Sequence, residues 1–381
     1  MAAAISDEVA TAIAAAAFTV ATAGGTLPPS KADRVAITSA LPTVFGSARP
    51  VHVDQLDPIV SGDLVRVVED PATRLDLVRV LAVIALLDGA VEQRKLELVL
   101  DVASSLHVHG EFVDAVHQLA LNHVRWVAYD QIRANVATIP GVPWVPDDPY
   151  APFMPYRGGA LDAALAQRYE HLRELPAGTF GRAFYDHYAT NRYEFPGAEF
   201  ALVEAWATPH DSLHVLSGYS TSAQGELLVA AFTGGMLAPP IDFMESHILP
   251  TILIYHLGID INKGLNAGDR ERMIADPSWR DNYNGNVHLG LDAAKLWTAW
   301  QRGSAMTTNL YDGHWDFWSH VETSLDDLRD RYGVAPLDPA LAAVDDAHVQ
   351  RSDFERPGID PPPPISDVPI TDHPPVAPAR T

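Results

Sequence analysis

An all-α fold is what this sequence predicts, and three observations carry that reading. Apolar residues recur at helical spacing through residues 63–136 and again through 160–335. Alternating β-branched runs, the mark of half-buried strands, are scarce. Capping residues and glycines punctuate the periodic segments where helices need to start and stop. The expected organisation is two helical domains, 1–136 and 160–335, joined by a proline-rich linker at 137–159. A disordered proline-rich C-terminal tail, 336–381, follows.

The N-terminal stretch Val9 to Ala23 is alanine-rich and preceded by Asp7 and Glu8, the wrong charge for a signal peptide. It reads as a helix packed on the first domain. Leu64-Val-Arg-Val-Val, Leu75 to Leu87 and Val91 to Leu106 give further helices, with Asp88-Gly89 breaking the second from the third. His107, His109, His117 and His123 cluster in sequence, but their spacing suits a metal poorly, and they read as surface or packing residues. Pro140, Pro143, Pro146, Pro149, Pro152 and Pro155 recur every third residue. That is the period of polyproline II, which excludes helix and central strand. Such a segment is either a stiff spacer or a strap across the surface, anchored by Trp144, Tyr150, Phe153 and Tyr156.

Beyond the linker, helices are expected over Asp162 to Leu175, Gly181 to Thr190, Ala201 to Ala207, Ile241 to Leu257 and Asp292 to Trp300. A pair of shorter helices falls between 208 and 237. From Arg356 onward nine of the last twenty-six residues are proline, which predicts disorder.

Composition narrows the function. A net charge of −23 argues against nucleic-acid binding, because such a surface repels phosphate backbones. The absence of cysteine excludes disulfides, thiolate catalysis and Cys-ligated zinc. No apolar run is long enough to span a membrane. The expected location is cytoplasmic, peripheral at the inner face of the membrane. A homo-oligomer is compatible with all of this.

The richest chemistry lies in Thr208-Pro-His-Asp-Ser-Leu-His214 and Glu226. With Thr208 as N-cap and Pro209 in the first helical position, His210 and His214 stand one turn apart on one face. Asp211 lies roughly 60° around the helix from His214. Gly218 offers a stop, and Thr221 with Gln224 offers a second capping box. Glu226 then sits one turn into the next helix, where a tight corner can aim it back at the histidines. His210, Asp211, His214 and Glu226 are therefore candidate ligands for a divalent metal. Zinc is the first expectation, with manganese, iron and cobalt tolerated by the same N and O set. The plain alternative is a chance histidine pair and a helix-terminal aspartate. The H-E-x-x-H zincin pattern does not apply, since Asp211 stands where that motif has Glu.

Ala207-Thr-Pro-His-Asp-Ser-Leu-His-Val-Leu-Ser-Gly-Tyr219, with Gln224-Gly-Glu226, resembles the core of the coenzyme Q biosynthesis protein 4 family. That family carries H-D-x-x-H, eleven intervening residues and Glu, and Val215 to Gly225 are eleven residues here. Leu175-Pro-Ala-Gly-Thr-Phe-Gly-Arg-Ala-Phe184, Trp300-Gln-Arg-Gly303, Trp315-Asp-Phe-Trp318 and Leu325-Asp-Asp-Leu328 are similar to its flanking pieces. The resemblance covers roughly residues 160–335. It implies the same four metal ligands and a role in ubiquinone biosynthesis, on a polyprenylated aromatic ring. Family members have been viewed both as a scaffold for a complex of biosynthetic enzymes and as the catalyst of ring C1 oxidative decarboxylation. Met236, Leu237, Phe243, Ile248, Ile252 and Ile254 are candidates to line a channel for the isoprenoid tail or another apolar ligand. Ordinary core is the plainer reading of that stripe.

Ala82-Val-Ile-Ala-Leu-Leu-Asp-Gly-Ala-Val-Glu92, ahead of Leu96 to Leu106, resembles TerB-like helical domains of the tellurite-resistance type. Asp88, Glu92 and Glu97 are then the nearest equivalents of that family's acidic metal-binding residues, against a plainer reading as a helix turn with solvated charges. Three alternatives to quinone chemistry stand. One is a non-enzymatic lipid-binding scaffold with a structural metal. Another is an HD-type phosphohydrolase built on His210-Asp211, with His187 upstream and Asp242 downstream as partners. A third is a helical interaction module around the TerB-like segment.

Overall fold

Side chains that cap helices fix much of the architecture. Ser6, Ser30, Asp70, Asp162, Thr179, Ser222, Asp292 and Ser324 each accept a backbone N–H from the turn that follows. Each thereby satisfies a donor that the helix itself cannot serve. The computed structural model describes residues 5–146, 148, 151–237, 241–257, 291–338, 353 and 356. Among them the fold is all-α, with no strand and one isolated bridge between Thr179 and Ser324.

The N-terminal half contains α1 (Asp7–Ala21), α2 (Lys31–Thr43), α3 (Ser61–Val67), α4 (Pro71–Ala85), α5 (Gln93–Ser105), α6 (Glu111–Ala120) and α7 (Val124–Ala137). The C-terminal half contains α8 (Ala163–Glu170), α9 (Phe180–Asn191), α10 (Glu204–Ser217) and α11 (Ala223–Met236). Next comes α12, a π-helical turn Met244–Ile248, a short α segment Leu249–Thr251 and a second π turn Ile252–His256. Last are α13 (Ala293–Ser304) and α14 (Leu325–Tyr332). No helix among the described residues is long and apolar enough to cross a membrane.

The segments expected as two domains share one apolar core. Trp297 of α13 is fully buried, and its indole Nε1 donates to the Ala36 carbonyl of α2 at 3.3 Å. His256, at the end of α12, makes a 2.8 Å contact to the Leu87 carbonyl just past α4. Asn135 of α7 donates to the Ser246 carbonyl of α12 at 2.8 Å. Ser246 is the carbonyl that Pro250, lacking an N–H, cannot serve within the helix. A side chain from the other half of the chain serves it instead.

The linker lies across the surface as a strap. Trp144 packs edge-on against Tyr129, and the Tyr129 hydroxyl donates to the Pro146 carbonyl at 3.2 Å. Further along, Phe153 packs edge-on against Trp206, and its carbonyl accepts from Val203 N at 2.7 Å. Pro149 and Tyr150 fall outside the described residues.

Three expectations need correcting. The helix expected to start at Thr208 starts at Glu204, merges with the segment expected as a separate helix, and carries Pro209 inside. Thr208 therefore lies in the second turn of the helix, where no free N–H is left for it to cap, and its hydroxyl donates to the Tyr169 oxygen at 2.8 Å. The N-cap of α11 is Ser222 rather than Thr221, whose hydroxyl donates to Asn191 Oδ1 at 2.8 Å. The charges around Asp88 are only partly solvated: the Asp88 side chain is buried, whereas those of Glu92 and Glu97 stay in contact with water. Lys95 is fully buried and pairs with Asp88 at 2.5 Å and Glu92 at 3.7 Å, while Glu97 pairs with Arg94 at 3.5 Å.

Most of the expected tail lies outside the described residues, but Asp353 and Arg356 do not. Arg356 is buried, donates to Asp88 and to the carbonyls of Ala21 and Pro28, and forms an ion pair with Asp33 at 3.1 Å. Asp353 pairs with Lys31 at 2.8 Å. His107, His109, His117 and His123 are exposed, as expected.

Candidate metal centre

The helical period places His210 and His214 of α10 side by side, one turn apart, with their Nε2 atoms 3.3 Å from each other. Gly218 ends the helix in the left-handed region at φ +83°, as the sequence predicts. The chain then doubles back so closely that a Cβ on Gly225 would lie 1.9 Å from the Ser220 carbonyl oxygen. Only glycine admits that corner, and it brings Glu226, in the first turn of α11, against the histidines. Glu226 Oε2 lies 3.4 Å from His210 Nε2 and 3.5 Å from His214 Nε2.

These three atoms form a nearly equilateral triangle, and a point equidistant from them lies about 2 Å from each, the length of a zinc–nitrogen or zinc–oxygen bond. The proton inventory agrees. The carbonyl of Tyr219 can only accept, so the 3.1 Å contact to His214 Nδ1 places the ring proton there. With that ring neutral, His214 Nε2 presents a lone pair, as does the Glu226 carboxylate. A proton on His210 Nε2 can serve one of those acceptors, whereas a cation serves all three. Burial opposes the charge on Glu226, but the His214 and His210 rings outweigh it and hold the carboxyl far below its usual range. Burial likewise opposes charge on His214, and the Glu226 carboxylate overrides it and raises that pKa.

Asp211 completes the cluster from the side. One ligand atom each from His210, Asp211 and His214 lie within 4.8 Å of one another, so this group can hold a metal ion. Asp211 Oδ2 accepts from the Tyr188 hydroxyl at 2.5 Å, and Oδ1 lies 3.7 Å from His187 Nε2. Burial raises the Asp211 pKa, but the His187 contact and the His210, His187 and His214 charges outweigh it, so the group stays ionised.

Neighbouring elements lock these positions. Trp206 stacks on His210 at 4.4 Å, and its Nε1 donates to Asn135 Oδ1 at 3.0 Å. Tyr188 is held between Phe184 and Phe195. Tyr169 and Trp318 both donate to Glu204 Oε1, at 2.9 and 3.1 Å, and anchor the start of α10. Arg329 and Arg302 donate to the last carbonyls of α10, those of Val215, Leu216 and Ser217. Cations there oppose the negative end of the helix dipole.

Of the residues singled out in sequence, the fold brings His210, Asp211, His214, Glu226 and His187 together. Asp242, the other partner needed for an HD-type site, stands elsewhere and accepts from Phe112 N at 3.4 Å. Most of the apolar stripe is interior, with Ile248 1% and Ile252 0% exposed, while Ile254 is half-buried. Asp88, Glu92 and Glu97 are engaged by Lys95, Arg356 and Arg94. Sequence reasoning passed over Tyr188, Trp206 and Arg329, which lie outside the quoted motif pieces and reach the site only through packing, and it gave Tyr219 and Arg302, inside those pieces, no role. It also passed over Glu245 and His247, whose signal was available as two polar residues inside an apolar helix.

Comparisons with protein-family models, with curated proteins and with solved structures gave no significant match.

Proposed function

We propose that this chain is a metal-dependent protein of quinone biosynthesis, acting on a polyprenylated aromatic ring, with oxidative decarboxylation at ring C1 as its candidate step. The observation that carries the metal part is the His210–His214–Glu226 triangle, whose sides of 3.3, 3.4 and 3.5 Å fit one face of a tetrahedral site. The quinone part rests on the resemblance of the spaced motif. His210, His214 and Glu226 are the proposed ligands, with Asp211 as the flanking carboxylate that Tyr188 and His187 hold in place. Bound there, a divalent ion supplies Lewis acidity at its open positions, and iron, manganese or cobalt adds redox capacity that zinc lacks. Around it, Tyr219 fixes the His214 tautomer and Trp206 covers one face of His210. Those contacts preset the donors and keep water from that side.

Metal analysis of the purified full chain, joined to lipid extraction and mass spectrometry, tests this reading. One divalent ion per chain is expected, lost in His214→Ala with the helical circular dichroism unchanged. With dioxygen as the oxidant, carboxyl-labelled polyprenyl hydroxybenzoate should give quinone, water and labelled carbon dioxide only with the metal-loaded protein. A metal-free wild type, or metal content unaffected by His214→Ala, rules out the site. Binding of the ring without turnover favours the lipid-binding scaffold instead. The presence of His187 beside Asp211 is the observation that favours an HD-type phosphohydrolase, and hydrolysis of a generic phosphodiester would establish that reading.

A further inference from the structure

His247 of α12 and Tyr311, in the loop after α13, belong to no motif, yet both are 5% exposed and in ring contact, with centroids 5.5 Å apart. The proton on His247 can be located by elimination. Ser246 Oγ has a single proton, which it donates to the Asp242 carbonyl at 2.9 Å. Its 2.8 Å contact with His247 Nδ1 must therefore run from Nδ1–H to Oγ. Burial, then the charge of His210, keeps the ring neutral and lowers its pKa to about 3. His247 Nε2 is thus a bare acceptor, buried and without a hydrogen-bond partner.

The Tyr311 hydroxyl is likewise buried and without a partner. Burial, then the carboxylates of Asp211 and Glu226, push its pKa above the usual range, so it keeps its proton and remains a donor. Asn135 ties the Ser246 carbonyl, next to His247, to the Trp206 indole, and Trp206 stacks on His210, so a short chain of contacts leads from the pair to the metal cluster. Buried polar atoms left unmet cost folding free energy, and where they gather in a site they mark what the site is built to recognise.

We propose that His247 and Tyr311 form a hydroxyl-reading pair beside the metal cluster: Nε2 of His247 accepts the O–H of a phenolic ligand, and the Tyr311 hydroxyl donates to an oxygen of the same ligand. This rests on the proposed function and narrows it to rings that still carry a free phenol. An ether at the same position offers Nε2 only lone pairs and is rejected.

The test uses the full chain and two probes, a farnesyl-substituted phenol and its O-methyl ether, titrated by calorimetry. The wild type should prefer the phenol by at least about tenfold, the scale of one well-placed hydrogen bond. His247→Phe should bring the two affinities within about twofold of each other. Tyr311→Phe deletes one oxygen without changing shape and should weaken the phenol about tenfold. Equal wild-type affinities, no binding of either probe, a preference surviving in His247→Phe, or unchanged phenol affinity in Tyr311→Phe overturns the pair. If His247→Phe does not fold, Tyr311→Phe decides alone. Metal content of the same samples answers separately for the proposed function. A metal-free wild type that still prefers the phenol removes that function and leaves the pair standing. A metal-loaded wild type without preference does the reverse.

Discussion

Tyr188 is not a candidate ligand, yet its 2.5 Å donation holds Asp211 in place among the histidines. Groups that orient metal ligands through a second hydrogen bond typically change metal affinity 10- to 100-fold when removed. Tyr188→Phe should therefore weaken metal binding by about tenfold, read by chelator competition, with the fold intact. Glu245 is a different case. Burial, then the charges of Asp130, Asp242 and Glu111, raise its pKa to about 9 against 4.5 in the unfolded chain. Between those values the folded protein holds a proton that the unfolded chain has released, so stability falls as pH rises across that window. Glu245→Gln removes this dependence. Its melting temperature should match wild type near pH 4 and exceed it by several degrees at pH 8. Residue-scale features of this kind were half legible beforehand. His210 and His214 follow from the helical period alone, because four residues make one turn. Tyr188 and Tyr219 could not be read, since their roles depend on which helix packs beneath α10 and how the corner after it closes.

At the scale of elements, α11 and α13 cross backbone to backbone. A Cβ on Gly303 would lie 1.9 Å from the Phe232 carbonyl oxygen, and one on Gly235 would lie 2.2 Å from that of Trp300. No side chain can yield there, so the helices themselves must part. Gly303→Ala should cost at least about 2 kcal/mol of stability, seen as a lower urea midpoint, and should loosen the helix that carries Glu226. The sequence placed both helices, with Glu226 in the first turn of α11, yet misplaced the start of α10 and the cap of α11. In α10 the helix already runs through Thr208, whose hydroxyl donates to Tyr169, and at α11 the Thr221 hydroxyl is claimed by a distant partner, Asn191. Local propensity cannot anticipate such competition, because the competitor arrives only with the tertiary fold.

At the scale of the whole molecule, the charged cluster of Asp33, Asp88, Lys95 and Arg356 is buried beneath the N-terminal helices. Burial raises the Asp33 pKa, and the Arg356 guanidinium opposes that rise. Arg356→Ala leaves Asp33 and part of Asp88 uncompensated, and should cost about 3 kcal/mol. Ending the chain before residue 351 should reproduce the effect. Both belong in a differential scanning calorimetry series with the wild type. The shared core predicts one cooperative transition in that series, with Trp297 and Trp206 reporting the same midpoint. Two separated transitions would show that the halves fold alone. This docking was not legible in advance, because a proline-rich stretch reads equally as spacer or strap until its aromatic anchors find partners.

The path from Pro250 through Ser246, Asn135 and Trp206 to His210 has a consequence for inheritance. A recombination event that cuts the gene between codons 137 and 160 separates Asn135 from both of its partners. Each daughter would keep a legible half-sequence, but the Ser246 carbonyl and the Trp206 indole would lose their shared amide. In lineages that keep the histidine pair, the early helices and the metal-bearing helices should therefore travel together, with Asn135, Trp206 and Pro250 changing in concert or not at all.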